Sequence, residues 1–154
     1  MRCRYALLAA ALVTSLACGQ GTVIVYDDHG SALTSIWRPK PGTSWQIQYG
    51  SGIIDTSLDV DAYDLDLVDG AAAIRKVRML GKRVICYFSA GSYEAWRPDA
   101  NQFAEAVLGK PLDGWPGERW LDIRAQSVRD IMVKRLDLAA KMRCDAVHPD
   151  NVDG

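Results

Sequence analysis

The sequence has only two histidines and four cysteines, and no spacing among them gathers the four ligands a structural zinc ion takes, so no metal is expected. The Gly-rich turn that grips a dinucleotide between a first strand and a helix is also missing. "YGSGIID" at 49–55 leads into no helical pattern, and no cofactor is expected. There is no Gly-x-Ser-x-Gly elbow, and His29 and His148 stand in a poor order for a triad with the serines of "SAGS" at 89–92. A formal net charge of -1 with no basic stripe argues against a nucleic-acid partner, which needs lysines and arginines to neutralise phosphates. The apolar run Tyr5–Ala17 is shorter than the ~20 residues that cross a bilayer, so no membrane span is expected either.

That run, "YALLAAALVTSLA", follows the charged start Met1-Arg2-Cys3-Arg4 and ends in the small-x-small step Ser15-Leu16-Ala17. Residues 1–17 therefore read as a secretory signal peptide, and the protein as secreted. Leu16-Ala17-Cys18-Gly19 also resembles a bacterial lipoprotein cleavage site, although Ser15 stands where that signal prefers a large apolar residue. Hydrophobic residues at 49% and charged residues at 24% are globular proportions, enough for one domain with its own core. Residues 18–44, rich in Gly, Ser, Thr, Pro and Asp, read as a surface lead-in. Cys86 and Cys144 lie in apolar strand-like runs, where an oxidising compartment allows them to pair and a core position equally suits them as free thiols.

From Trp45 onward the pattern is regular. "SWQIQY" alternates Trp45, Ile47 and Tyr49 with Gln46 and Gln48, and "DAYDLDL" sets Tyr63, Leu65 and Leu67 opposite Asp64 and Asp66, each a period of two. Asp69 is placed to cap a helix over "GAAAIRKVRMLG", closed by Gly81. "KRVICYFSAG" at 82–91 is a continuous apolar run, as in a buried parallel strand. "DANQFAEAVLG" at 99–109 suggests a short helix, "RWLDI" a strand, "SVRDIMVKRLDLAAKMR" at 127–143 a long amphipathic helix capped by Ser127, and "CDAVHPDN" a last strand. Strands at 45–49, 61–67, 83–89, 119–123 and 144–148 alternating with one-faced helices indicate an α/β fold on a parallel sheet. Polar residues collect at the C-terminal strand ends, where a (β/α)8 TIM barrel keeps its active site.

Four clusters carry the chemistry. Asp64 and Asp66 share one strand face and suit a cationic ligand, or belong to a solvated strand after a turn. "YFSAGSYEAWRPD" at 87–99 brings Tyr87, Glu94 and Trp96 together, an aromatic and polar set suited to a sugar ring, or else Arg97 clamps Glu94 or Asp99. Asp122, inside "GWPGERWLDIR", either pairs with an arginine or faces the barrel mouth. "HPDNVDG" at 148–154 carries Asp150 and Asn151, a site or a turn. Carboxylates and aromatics without metal or nucleophile dyad are all that glycoside hydrolysis requires, one carboxyl as acid and another as base or nucleophile.

"SWQIQY", "VDAYDLDL", "GKRVICYFSAGSYEAWRPDA", "LGKPLDGWPGERWLDIR" and "DAVHPDNVDG" resemble glycoside hydrolase family 114 in order and spacing over residues 37–154, which leaves 18–36 as the lead-in. The resemblance implies a (β/α)8 TIM barrel, truncated here after about five strands. It implies endo-hydrolysis of cationic α-1,4-galactosamine polymers, or α-galactosidase-type action. It also implies Asp150 as a catalytic carboxylate, with Asp64, Asp66, Glu94, Asp122 and Asn151 lining a polysaccharide cleft. The family tends to carry an acid before the Pro where this chain has His148, and its second catalytic carboxylate is expected on a later strand. A barrel takes ~250 residues, so the 154-residue chain is expected to be a fragment, poorly soluble and inactive alone. The competing expectation is a non-catalytic carbohydrate-binding remnant of the same fold.

Overall fold

The computed structural model describes residues 25–26, 32–33, 36–50 and 53–153. The signal-peptide reading of residues 1–17, Cys18 and His29 lie outside those described residues. Within the lead-in, β1 (Val25–Tyr26) and β2 (Ala32–Leu33) pair antiparallel, Val25 opposite Leu33, in a unit of their own.

The second unit, Trp37–Gly154, is organised by a parallel sheet. Its strands β3 (Trp45–Gln48), β4 (Ala62–Asp66), β5 (Arg83–Ser89) and β9 (Ala146–Asp150) lie side by side in that order. Alternation along β4 sends Tyr63 and Leu65 to one face, where they meet Val84, Cys86 and Phe88 of β5. The same core contains Ile74 and Val77 of α1 (Ala71–Met79) and Ala139 of α2 (Gln126–Lys141). Both helices thus cover one face, as in a (β/α)8 barrel, whereas an open doubly wound sheet is covered on both. Each fully buried Leu, Ile or Val here contributes roughly 1.5–3 kcal/mol.

The inward face is fixed by register. Ile47, Asp64, Ile85 and Ala146 stand abreast, and Tyr87 pairs with His148 and Ser89 with Asp150. The acidic half of the period-two pattern in β4 therefore points into the barrel, and all five residues of that strand are buried. Trp45 and Ile47 of the edge strand, and Tyr49 just after it, are by contrast exposed rather than packed in the core.

Three expectations are corrected. The segment expected as a fifth parallel strand, β8 (Glu118–Leu121), is the centre of a separate antiparallel sheet, between β6 (Ser92–Glu94) and β7 (Leu108–Pro111). The turn-rich "KPLDGWPGE" folds β7 back onto β8 as a hairpin, and a strand so joined runs antiparallel to its predecessor. The described parallel strands are therefore four. The helix expected over 99–109 is two 3-10 turns, Ala100–Gln102 and Glu105–Val107, running into β7. Asp99 gives its carboxylate to Arg135 instead of capping, and Gly109 is a strand residue whose missing side chain admits the Trp120 carbonyl. Finally, α1 starts after Gly70 without a side-chain cap, and α2 after Ala125, with Ser127 inside the helix. The antiparallel insert is attached through a second core of Phe103, Leu121, Val128 and Ile131.

Cys86 and Cys144 form a disulfide, with Cα atoms 5.9 Å apart and a sequence separation of 58. It ties the centre of β5 to the chain just before β9, across the whole excursion through the insert and α2. Replacing both cysteines by alanine is expected to lower the unfolding free energy by about 4 kcal/mol, the loop-closure value for this length. A urea titration measures it, and a loss under about 1 kcal/mol would contradict the chain-entropy account.

Candidate active site

The turn between β5 and β6 is held against the end of β9. The N–H groups of Ala90 and Gly91 both donate to the Asp150 carbonyl, at 2.8 and 3.2 Å. A side chain at Gly91 would collide with the Asn151 carbonyl, so glycine is required for this approach. Asn151 adopts a left-handed backbone, φ 58°, a region its short polar side chain tolerates. Its amide then reaches inward, donating to Ser89 Oγ at 3.0 Å and Ser92 Oγ at 3.1 Å. The two serine hydroxyls are 2.6 Å apart, and Ser92 Oγ donates to Glu118 Oε2 at 2.6 Å. Buried polar atoms are thereby satisfied in one chain from β9 to β8.

Beside it, Arg97 holds two buried carboxylates. Its guanidinium donates to both oxygens of Asp66, at 2.9 and 2.6 Å, and to both of Glu94, at 2.9 and 2.8 Å. Asp69 adds a longer contact at 3.7 Å. Burial pushes the Asp66 carboxyl up, but the Arg97 fork and the N–H groups of Asp69 and Val68 outweigh it and hold Asp66 below the ordinary carboxylate range. Asp99 is likewise held low against burial by its hydrogen bonds from Arg135.

The third part is a wall of acids and aromatic rings on the inward face. His148 Nδ1 lies 2.8 Å from Asp64 Oδ2 and 3.0 Å from the Tyr49 hydroxyl. The rings of Tyr49 and Tyr87 are 4.3 Å apart, and His148 meets Tyr87 edge-on at 5.4 Å. The Tyr87 hydroxyl donates to Asp150 Oδ2 at 3.1 Å. Burial raises the Asp64 carboxyl, the His148 hydrogen bond and charge oppose the rise, and the Asp150 charge adds to it. Tyr49 and Tyr87 are pushed well up by burial and then by the nearby charges of Asp64 and Asp150 respectively, so both remain neutral hydrogen-bonding groups.

The sequence-derived candidates divide accordingly. Asp64, Tyr87 and Asp150 meet on one wall, and Asn151 braces it from behind. Asp66 and Glu94 are buried, their four oxygens engaged by Arg97, which places them under the site as its support rather than on the cleft surface. Asp122 follows β8 in the antiparallel sheet and pairs with Arg124 at 2.8 Å, the arginine-paired alternative. Trp96 is exposed on the insert, over Gly117. Tyr49 and the engagement of His148 with Asp64 escaped the sequence reading. The signal available was position: Tyr49 ends the alternating set Trp45, Ile47, Tyr49.

Parallel strands covered by helices on one face, with carboxylates and tyrosines gathered toward their C-terminal ends, are the arrangement of a (β/α)8-type fold and its site. The chain belongs to glycoside hydrolase family GH114, whose sequence model matches residues 28–154. It is similar to the crystal structure of Aspergillus fumigatus Ega3 in complex with galactosamine, with 51% identity and a TM-score of 0.74 over 79% of this chain and 49% of that one. The glycoside hydrolase domain of PelA from Pseudomonas aeruginosa shares the fold, with 17% identity and a TM-score of 0.60 over 72% of this chain and 45% of that one. The chain spans about half the length of these solved structures. No match was found among curated proteins.

Removing Arg97 strands two buried carboxylates. Arg97→Met is expected to destabilise by about 3–5 kcal/mol, measured by chemical denaturation. Because Asp66 and Asp99 are held low in the fold, their contribution is complete above the unfolded carboxylate value and disappears as pH falls through the folded one. Stability should therefore drop on acidification below about pH 4, and Arg97→Met should flatten that limb. An unchanged acid limb would remove the Asp66 pair from its role.

Proposed function

We propose that the chain forms the β3 to β9 side of the active site of an exported glycosidase that cleaves α-1,4-linked galactosamine polymers, with Asp150 as a catalytic carboxylate. The observation that carries this reading is the Tyr87–Asp150 pair at the mouth of the inward face, in a chain 51% identical to a protein crystallised with galactosamine. Tyr87 bonds Oδ2 and orients the carboxyl, and Oδ1 is left to meet the substrate. Asp64 and Asp150 on one wall favour an ammonium-bearing sugar over neutral galactose. The Cys86–Cys144 bond supports export, since disulfides persist in oxidising compartments.

The second carboxylate belongs, by the resemblance, to a later strand of the barrel. Asp66, Glu94 and Asp122 do not supply it, since each is held by an arginine. In protein that includes the later strands, Asp150→Asn should lower the release of reducing ends from a partly deacetylated galactosamine polymer by about 10²–10⁴-fold, with the circular dichroism spectrum unchanged. Undiminished release by the variant would exclude Asp150 from catalysis. Binding with no turnover in the extended protein would leave a carbohydrate-binding remnant.

A further inference from the structure

We propose that His148 makes the site selective for a free amino sugar, by presenting Nε2 beside Asp150 as a hydrogen-bond acceptor that becomes a charged donor on acidification. This rests on the reading of the cleft as a galactosamine site. Its basis is the way the ring is anchored. Nδ1 lies 2.8 Å from Asp64 Oδ2; when that carboxyl is ionised it offers only acceptors, and the proton of the neutral ring is then held on Nδ1. The Tyr49 oxygen, 3.0 Å away, is a second neighbour of the same N–H. Nε2 is then the atom at which the ring gains and loses its second proton.

Burial orients the switch. The Asp64 side chain is 5% exposed and that of His148 40%, so the anchored edge is covered while the rest of the ring reaches solvent. Asp64 Oδ1 is buried with no hydrogen-bond partner among the described residues, so the carboxyl relies on His148 together with the Tyr49 hydroxyl, and swinging the ring away would leave a buried carboxyl with less to hold it. The groups facing the ring are the Tyr49 hydroxyl after β3, Asp64 on β4, the Tyr87 ring on β5 and Asp150 two residues on along β9. None of them is a cation. With the ring neutral, an ammonium meets the Asp150 carboxylate and an acceptor nitrogen, with the Asp64 carboxyl covered behind the ring. With the ring protonated, it meets a like charge and the acceptor is gone. An acetamido group carries no charge and escapes that penalty.

The test is binding of a galactosamine oligosaccharide and its fully N-acetylated counterpart to the 154-residue chain, by calorimetry at about pH 5 and about pH 6.5, a span over which histidine loses much of its charge. Affinity for the free-amine sugar should rise about tenfold with pH, that for the acetylated sugar should stay within about twofold, and His148→Gln should abolish the rise. A rise that persists in His148→Gln, or that the acetylated sugar shares, overturns the inference and leaves the galactosamine reading standing. No binding of either sugar at either pH removes both. Nitrogen NMR of the sugar-free wild type gives an independent check. Nδ1 should stay protonated throughout while Nε2 titrates, Asp64→Asn should erase that preference, and a neutral wild-type ring protonated on Nε2 instead overturns the inference without any substitution.

Discussion

Arg97 is the point on which the strand ends converge. A guanidinium carries five N–H donors in a plane, and here that geometry is matched to two carboxylates at once, Asp66 at the end of β4 and Glu94 at the end of β6. Removing three charges from water costs several kcal/mol each, and only fork-to-fork hydrogen bonding offsets so much. The arrangement therefore tolerates little displacement. By fixing β6 against β4 it sets the turn at Ala90 and Gly91, and through that turn's bonds to the Asp150 carbonyl it sets the height of β9.

On that support the inward wall is assembled from four strands. Each contributes a residue at or near its C-terminal end: Tyr49, Asp64, Tyr87 and Asp150. Parallel strands in register bring such ends to one rim, so chemistry can be drawn from segments that are distant in sequence. His148 and Asp64 are 84 residues apart and Tyr87 and Asp150 63 apart, yet each pair is at hydrogen-bond distance. The disulfide serves the same end, since Cys86 immediately precedes Tyr87 and Cys144 stands just before β9.

Much of the fold was legible. The alternation in "DAYDLDL" located β4 and the face that Asp64 and Asp66 occupy, and the apolar run "KRVICYFSAG" located β5. Segments whose conformation depends on neighbours were not. "DANQFAEAVLG" has helical spacing, but Asp99 is drawn off by Arg135 and the chain extends at Phe103. "RWLDI" reads equally well as a parallel or an antiparallel strand, because side-chain alternation carries no information about the direction of a partner.

Composition and pattern by themselves determined the class of fold: an α/β chain with acids and aromatic residues at its strand ends. They also singled out Asp150. Tertiary structure alone decided which carboxylates face the cleft. Asp64 and Asp66 are two residues apart on the same strand face, but one meets His148 and the other Arg97. The reason is that a carboxylate's partner and its desolvation are set by what register and the β5 to β6 turn carry to it. Those are contacts between residues dozens apart, which local periodicity does not encode.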